Sequence, residues 1–315
     1  MPKAVITETL DQRCADWLGE RCDVVWCRHD APELADQLAD ADALIVRTYT
    51  NVDDALLDRA PNVKVVGRAG VGLDNFDLQA CERRGVRVVY TPDANTQAVV
   101  EYVFGLMLDR YRPRTRLKPG TDADAFHALR KSEVGVEMAG LTLGVVGLGR
   151  IGKRVATVAH ALGMNVLACD VLDEAGLRKA LPGVPFTFVD HASLYAGSDV
   201  VTLHADGRAA NRRLVDAEAL QHFRDHAMLI NAARGMLVDH AALANWLDAH
   251  PGACAVLDVH DPEPPARDFA LYGRANAVLL PHLASRTDTA LRNMSWVVRD
   301  VAAVLEGREP TDAAV

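Results

Sequence analysis

Residues 143–162 read LGVVGLGRIGKRVATVAHAL, and three features of that stretch decide the fold. The run 143–146 is short and apolar, as a buried strand is. Gly147, Gly149 and Gly152 follow at the spacing Gly-x-Gly-x-x-Gly, and 153–162 has a helix-compatible composition. In a strand–turn–helix these glycines have separate uses: one permits a tight turn, one lets a pyrophosphate approach the backbone, and one lets helix and strand pack closely. The helix N-terminus behind them offers N–H groups and the positive end of its dipole to an anion. Taken alone the motif is also a plain packing turn. The strand before it, the helix after it and an acid at the right distance argue for a dinucleotide site. That acid is Asp170, 18 residues past Gly152 and at the end of the next apolar run. A carboxylate there would bind ribose hydroxyls and repel a 2′-phosphate, so NAD is the expected cofactor.

Outward from this point the chain alternates strand-like and helix-like runs. Upstream, 3–7, 24–26, 43–46, 63–66 and 86–90 are short apolar segments, with helical patterns such as 32–40 and 53–59 between them. Downstream, 143–146, 166–169, 200–203, 228–231, 255–259 and 278–280 repeat the pattern. Such β–α alternation indicates parallel sheets. The expected architecture is therefore α/β, with two doubly wound parallel-sheet domains and an interdomain cleft. The long apolar run 98–111 is expected to be the helix crossing between them, and the helical spacing of 289–305 to return that segment to the first domain. The resulting boundaries are 1–97 with 284–315 for one domain and 98–283 for the other.

Composition limits the function classes. In 315 residues, 43 acidic side chains against 34 basic ones give a formal charge of −9, which disfavours a nonspecific nucleic-acid binder. Half the residues are hydrophobic and the mean hydropathy is +0.01, as in an ordinary globular protein. The six cysteines lack any Cys-x-x-Cys pair, so reduced, mostly buried thiols are expected rather than a zinc site or disulfide framework. No secretory leader or membrane-spanning run is read in the sequence, and a cytoplasmic location without membrane or nucleic-acid partners is the default.

Three polar residues fall where strands of the second series end: Arg234 in INAARG, Glu263 in LDVHDPEP and His282 in LLPHLAS. Ligands of doubly wound sheets bind at that carboxyl edge. Reduction of a 2-keto acid needs a cation for the carboxylate, a proton donor for the carbonyl oxygen and a hydride donor. Arginine suits the first role because its planar fork meets a carboxylate bidentately. Histidine suits the second because it both gives and takes a proton near neutrality. Glu263 would orient the imidazole and favour its charged form. Each residue alone is also a surface cation, a loop acid or a satisfied histidine; their common placement carries the argument. His204 and His260 make no comparable case, and His204 is read as lining the adenine side.

The segments RAGVGLDNFD (68–77), TPDANTQAVVEYVFGLML (91–108), GVVGLGRIG, INAARGMLVD (230–239), LDVHDPEPP and PHLAS follow one another in an order that resembles the D-isomer-specific 2-hydroxyacid dehydrogenase family over nearly the whole chain. The resemblance implies a Rossmann nucleotide-binding domain and a flavodoxin-like substrate domain made from the first part of the chain plus the C-terminal helix. It implies Arg234, Glu263 and His282 as the catalytic residues. Arg150, Ile151, Ala232 and Asp258 are implied as cofactor contacts, beside the glycines, Asp170 and His204. Gly70, Val71 and Gly72 would present N–H groups to the substrate carboxylate, with Asn95 also on the substrate side. The small 2-keto or 2-hydroxy acid is the expected partner, and a homodimer the expected assembly.

Within the family, Arg47 in IVRTYT and Arg68 with Asn75 lie where members acting on 3-phosphoglycerate place phosphate- and substrate-facing residues. Arg47 is equally read as a strand-end surface residue. Members reducing glyoxylate or hydroxypyruvate would use the same triad without Arg47. Members that act as NAD-sensing co-repressors keep the triad and bind peptides. Two departures from the family pattern stand out: Asp206-Gly207 in HADGRAANRR where a Pro-Leu pair is usual, and Arg286 in LASRTDT. The chain is also expected to lack a regulatory extension.

Overall fold

The computed structural model describes residues 1–315 and divides into two compact units, Met1–Asn95 with Ser285–Val315, and Thr96–Ala284. The first contains five parallel strands, β1 (Lys3–Ile6), β2 (Asp23–Trp26), β3 (Ala43–Val46), β4 (Val65–Arg68) and β5 (Arg87–Tyr90), in the order β2-β1-β3-β4-β5. This is the flavodoxin-like order, whose direction switches between β1 and β3. All four residues of β3 are buried, as a central strand covered on both faces requires. One face packs Leu38, Leu56 and Cys81; the other packs Leu18, Val297, Val298 and Val301. The C-terminal segment thus does return to the first sheet. It does so as two helices, Asp288–Ser295 and Val298–Leu305, rather than as one.

The second unit has seven parallel strands: β6 (Thr142–Val146), β7 (Asn165–Cys169), β8 (Thr187–Phe188), β9 (Val200–Leu203), β10 (Met228–Asn231), β11 (Cys254–Leu257) and β12 (Ala277–Leu279). Their order is β12-β11-β10-β9-β6-β7-β8, so direction switches at β6. The two-residue edge strand β8 carries too short an apolar pattern to be read from sequence. The helix Thr96–Tyr111 belongs to this unit and packs on the helix Arg150–Ala161; Val99, Val103 and Met107 meet Val155 and Ala159 in its core. Strand ends moved by up to two residues from the sequence reading. Val63, for example, lies in a turn and donates to the Ala60 carbonyl before β4 begins. All six thiols are free, and no helix is long and apolar enough to cross a membrane.

Candidate active site

The glycine loop leaves the carboxyl end of β6 at the switch point. Gly147 has φ +90°, a conformation L side chains rarely adopt, and a Cβ there would lie 2.9 Å from the His204 carbonyl oxygen. A Cβ on Gly152 would lie 1.9 Å from the Gly147 oxygen, so the helix can start this close to the loop only with glycine. Gly149 is the N-cap of the helix Arg150–Ala161 and has open space around it. Asp170 Oδ2 accepts from the Leu148 N–H at 2.6 Å and its Oδ1 from the Leu172 N–H at 2.9 Å, which fixes the acid beside the loop. This cradle fits a dinucleotide pyrophosphate and ribose. His204 lies across it; burial pushes its imidazole down to about 4, so the ring is neutral near pH 7, and its Nε2 meets Thr202 Oγ1 at 3.1 Å.

Arg234, Glu263 and His282 lie on the loops after β10, β11 and β12, three neighbouring strands. His282 Nδ1 is 2.7 Å from Glu263 Oε1. An ionised carboxylate only accepts, so Nδ1 carries the proton in this contact and Nε2 is left for other chemistry. Burial works to raise the Glu263 pKa. The hydrogen bond and charge of His282, with the His260 N–H, outweigh it and hold the carboxyl below its usual range. His282 itself sits at φ +56°, an uncommon conformation for a residue with a side chain.

What holds His282 there is Asp258. This residue is 1% exposed; Oδ1 accepts from the Leu283 N–H and the Tyr102 hydroxyl, and Oδ2 from the Ala284 N–H. Its carboxylate therefore anchors the segment that follows His282. His260, for which the sequence makes no catalytic case, is also structural to the site. Its Nε2 donates to the Leu280 carbonyl at 2.9 Å, two residues before His282, and its N–H reaches Glu263 Oε2 at 3.4 Å. Asn231 is fully buried and closes the Arg234 turn, donating to the Arg234 carbonyl and accepting from the Ala233 N–H. Gly235 brings that turn against the next loop: a Cβ would lie 2.0 Å from the His260 carbonyl carbon and oxygen.

In the first unit, the switch-point loops after β1 and β3 are joined by Glu8. Its carboxylate accepts from the N–H groups of Arg47, Thr48, Tyr49 and Thr50 and from the Thr50 hydroxyl. Burial opposes ionisation of Glu8, but the four backbone N–H groups prevail and lower its pKa. Arg47, on this loop, donates to the Thr9 carbonyl. Burial, and then the charge of Arg286, lower the Arg47 pKa, with Glu8 opposing. Asn75 donates to the Arg47 and Thr50 carbonyls, so its amide shapes this loop rather than facing outward. Arg68 donates to the Ala69 carbonyl. The Gly70 N–H donates to the Arg68 carbonyl at 2.7 Å, whereas the N–H groups of Val71 and Gly72 have no backbone acceptor of this kind. Asn95 Oδ1 is buried without a hydrogen-bond partner.

Residues 104–284 match the family described as D-isomer specific 2-hydroxyacid dehydrogenase, NAD binding domain. The chain belongs to that family. A D-3-phosphoglycerate dehydrogenase of Mycobacterium leprae is 37% identical over 317 residues, spanning 99% of this chain and 58% of the relative. The chain spans about half the length of the curated relatives it matches. Among solved structures, a protein of Thermus thermophilus superposes with a TM-score of 0.85 at 34% identity, covering 99% of this chain and 100% of the other. An NADPH-dependent glyoxylate/hydroxypyruvate reductase of Sinorhizobium meliloti, solved with NADP and malonate, superposes at 0.82 with 27% identity, covering 100% and 97%. Membership in the D-isomer specific 2-hydroxyacid dehydrogenase family agrees with both sheets and with NAD as the dinucleotide.

Glu8, Asn231 and His260 are the organising residues that the sequence reading missed. Asn231, inside INAARG, and His260, inside LDVHDPEP, stand in segments that carry a triad residue, whereas Glu8 stands in none.

Proposed function

We propose that this protein is an NAD-dependent oxidoreductase that moves a hydride between nicotinamide and C2 of a small D-2-hydroxy or 2-keto acid, and that its substrate pair is 3-phosphoglycerate and 3-phosphohydroxypyruvate. The 2.7 Å contact between His282 and Glu263, at the carboxyl edge of the dinucleotide-binding sheet, carries the reading. When bound, the reduced nicotinamide supplies the hydride. Arg234 binds the substrate carboxylate with its planar fork. His282 Nε2 gives a proton to the carbonyl oxygen as it becomes a hydroxyl, and takes the proton back in oxidation. Glu263 holds the imidazole in the tautomer and orientation that leave Nε2 available, and stabilises its charged form. Gly147, Gly149, Arg150, Ile151, Gly152, Asp170, His204 and Ala232 would hold the cofactor, while Asp258 acts by positioning His282. Val71, Gly72 and Asn95 would hold the acid; a polar ligand atom would satisfy the buried Asn95 oxygen.

The phosphorylated substrate is supported by Arg47 and Arg286. They are close enough for one cation to lower the pKa of the other, and an incoming phosphate would relieve that repulsion. Arg68 would add to the positive field. The likeness to a glyoxylate/hydroxypyruvate reductase favours a second reading in which the acid carries no phosphate. Measuring kcat/KM with NADH for 3-phosphohydroxypyruvate, hydroxypyruvate, glyoxylate and pyruvate, in wild type and Arg47→Ala, separates the two. A preference for the phosphorylated acid that vanishes in the variant supports the first reading; a preference for an unphosphorylated acid untouched by the variant supports the second. The exposed Leu108, Leu117, Phe126, Val134 and Val136 support a homodimer, and the free thiols support a reducing, cytoplasmic setting.

A further inference from the structure

Val146, the last residue of β6, is in register with Leu203 of β9 on one side and Cys169 of β7 on the other. The next residues continue this row: the His204 N–H donates to the Val146 carbonyl at 2.7 Å, and the Gly147 N–H to the Cys169 carbonyl at 2.9 Å. Asp170 therefore follows on one flank of the glycine loop, and Ala205 and Asp206 on the other. A Cβ on Gly147 would lie 3.2 Å from the Ala205 nitrogen, which shows how closely the second flank approaches.

Asp206 carries the charge pair on that flank. Arg208 meets it with both arms of its fork: Nε lies 2.7 Å from Oδ1, and Nη2 bonds Oδ2. Asn211 Nδ2 adds bonds to Asp206 Oδ1 at 2.9 Å and to its carbonyl at 3.1 Å. The hydrogen bond and charge of Asp206 raise the Arg208 pKa, and the charge of Asp170 acts on it in the same direction. This guanidinium thus pairs with Asp206 and feels the Asp170 charge, at the end of the sheet where an acid after β7 is expected to bind ribose hydroxyls. Its side chain remains 55% exposed, so solvent and ligand can reach it.

We propose that the Asp206–Arg208 pair is a charge-selective element of the adenosine end of the dinucleotide site, in which Asp206 withholds Arg208 from a ribose 2′-phosphate. The inference rests on the reading of the glycine loop as that site. A 2′-phosphate brings roughly −1.5 to −2 charges. It would meet Asp170 and Asp206, while the only guanidinium of this pair has its fork closed on a carboxylate. Removing the Asp206 charge makes the local field more positive by one unit and opens the fork to bidentate phosphate binding. Asp206 thereby adds to the discrimination expected from Asp170, and it does so from a position where the resembled family usually has a Pro-Leu pair.

The test is calorimetric titration of 5′-AMP and adenosine 2′,5′-bisphosphate, which differ only by the 2′-phosphate, into wild type, Asp206→Asn, Arg208→Ala and the double variant. Asp206→Asn is expected to bind the bisphosphate about tenfold more tightly while 5′-AMP changes less than about twofold. The gain is expected to vanish in the double variant. Equal bisphosphate affinity in wild type and Asp206→Asn, or a gain that survives loss of Arg208, would overturn the proposal with the dinucleotide reading intact. Failure of the wild type to bind either nucleotide or NADH would overturn both.

Discussion

Glu8 and Asp258 do the same job at the carboxyl edges of the two sheets: each uses one carboxylate to gather the backbone N–H groups of a loop that carries a functional side chain. They differ in depth. Glu8 holds the Arg47 loop, in which Thr48 and Tyr49 are exposed, so several of its donors can turn to water if the carboxylate is lost. Asp258 is buried, as is Ala284, one of its donors. Its loss leaves groups without an acceptor in a place water reaches poorly. An unsatisfied buried polar group costs about 1–3 kcal/mol, whereas a rehydrated one costs far less. The first sheet therefore has a loop that can change at small cost, and the second has one that cannot. The proposed specificity residue, Arg47, sits on the former and the proposed proton donor on the latter.

The comparison breaks most sharply at Gly235. Gly235→Ala must push the Arg234 turn away from His260, and a shift near 1 Å is expected to lower kcat/KM about 100-fold with NADH affinity little changed. An activity within a few-fold of wild type would mean the two loops are not mutually fixed. Next comes Asp258→Ala, which removes the acceptor from Tyr102, Leu283 and Ala284 together. Chemical denaturation should show a loss of about 3 kcal/mol, against about 1 kcal/mol for Glu8→Ala. Equal losses would remove burial as the difference between the two edges.

The smallest effect is one of pH. The folded-state pKa of Glu8 is lowered, so its stabilisation is complete above the ordinary glutamate range and is lost as pH falls through the lowered value. The difference in Tm between wild type and Glu8→Gln should therefore be largest near neutral pH and shrink as pH falls below about 4. The same sign applies to Glu263, whose pKa is also lowered: acid should weaken its hold on His282 before the rest of the sheet responds. A Tm difference for Glu8→Gln that grows on acidification would contradict the nest of N–H groups around Glu8.

The glycine loop after β6, Asp170 beside it, and the placement of Arg234, Glu263 and His282 after neighbouring strands are legible in the sequence because each is a local pattern or a residue type at a strand end. The two parallel sheets followed from the alternation and the resemblance. What was not legible depends on chain segments far apart. Tyr102 meets Asp258 across 156 positions, and Glu8 meets Arg47 across 39. Nothing in residues 8 or 260 alone marks them as organisers. The C-terminal run was read as one helix because apolar spacing reports a buried face, and Val297, Val298 and Val301 keep that face across the break. His260 has no local pattern that marks its part, because its ring bonds a backbone carbonyl 20 residues on while its N–H reaches the side chain of Glu263.

His282, held by Glu263 and Asp258, is the proposed proton donor. The most direct test is single-turnover reduction of hydroxypyruvate and 3-phosphohydroxypyruvate by NADH in wild type and His282→Ala, with NADH affinity measured alongside by fluorescence. The expected result is a rate loss on the order of 10²–10⁴-fold with NADH affinity within about twofold of wild type. A loss of less than about tenfold, with NADH bound normally, would contradict it.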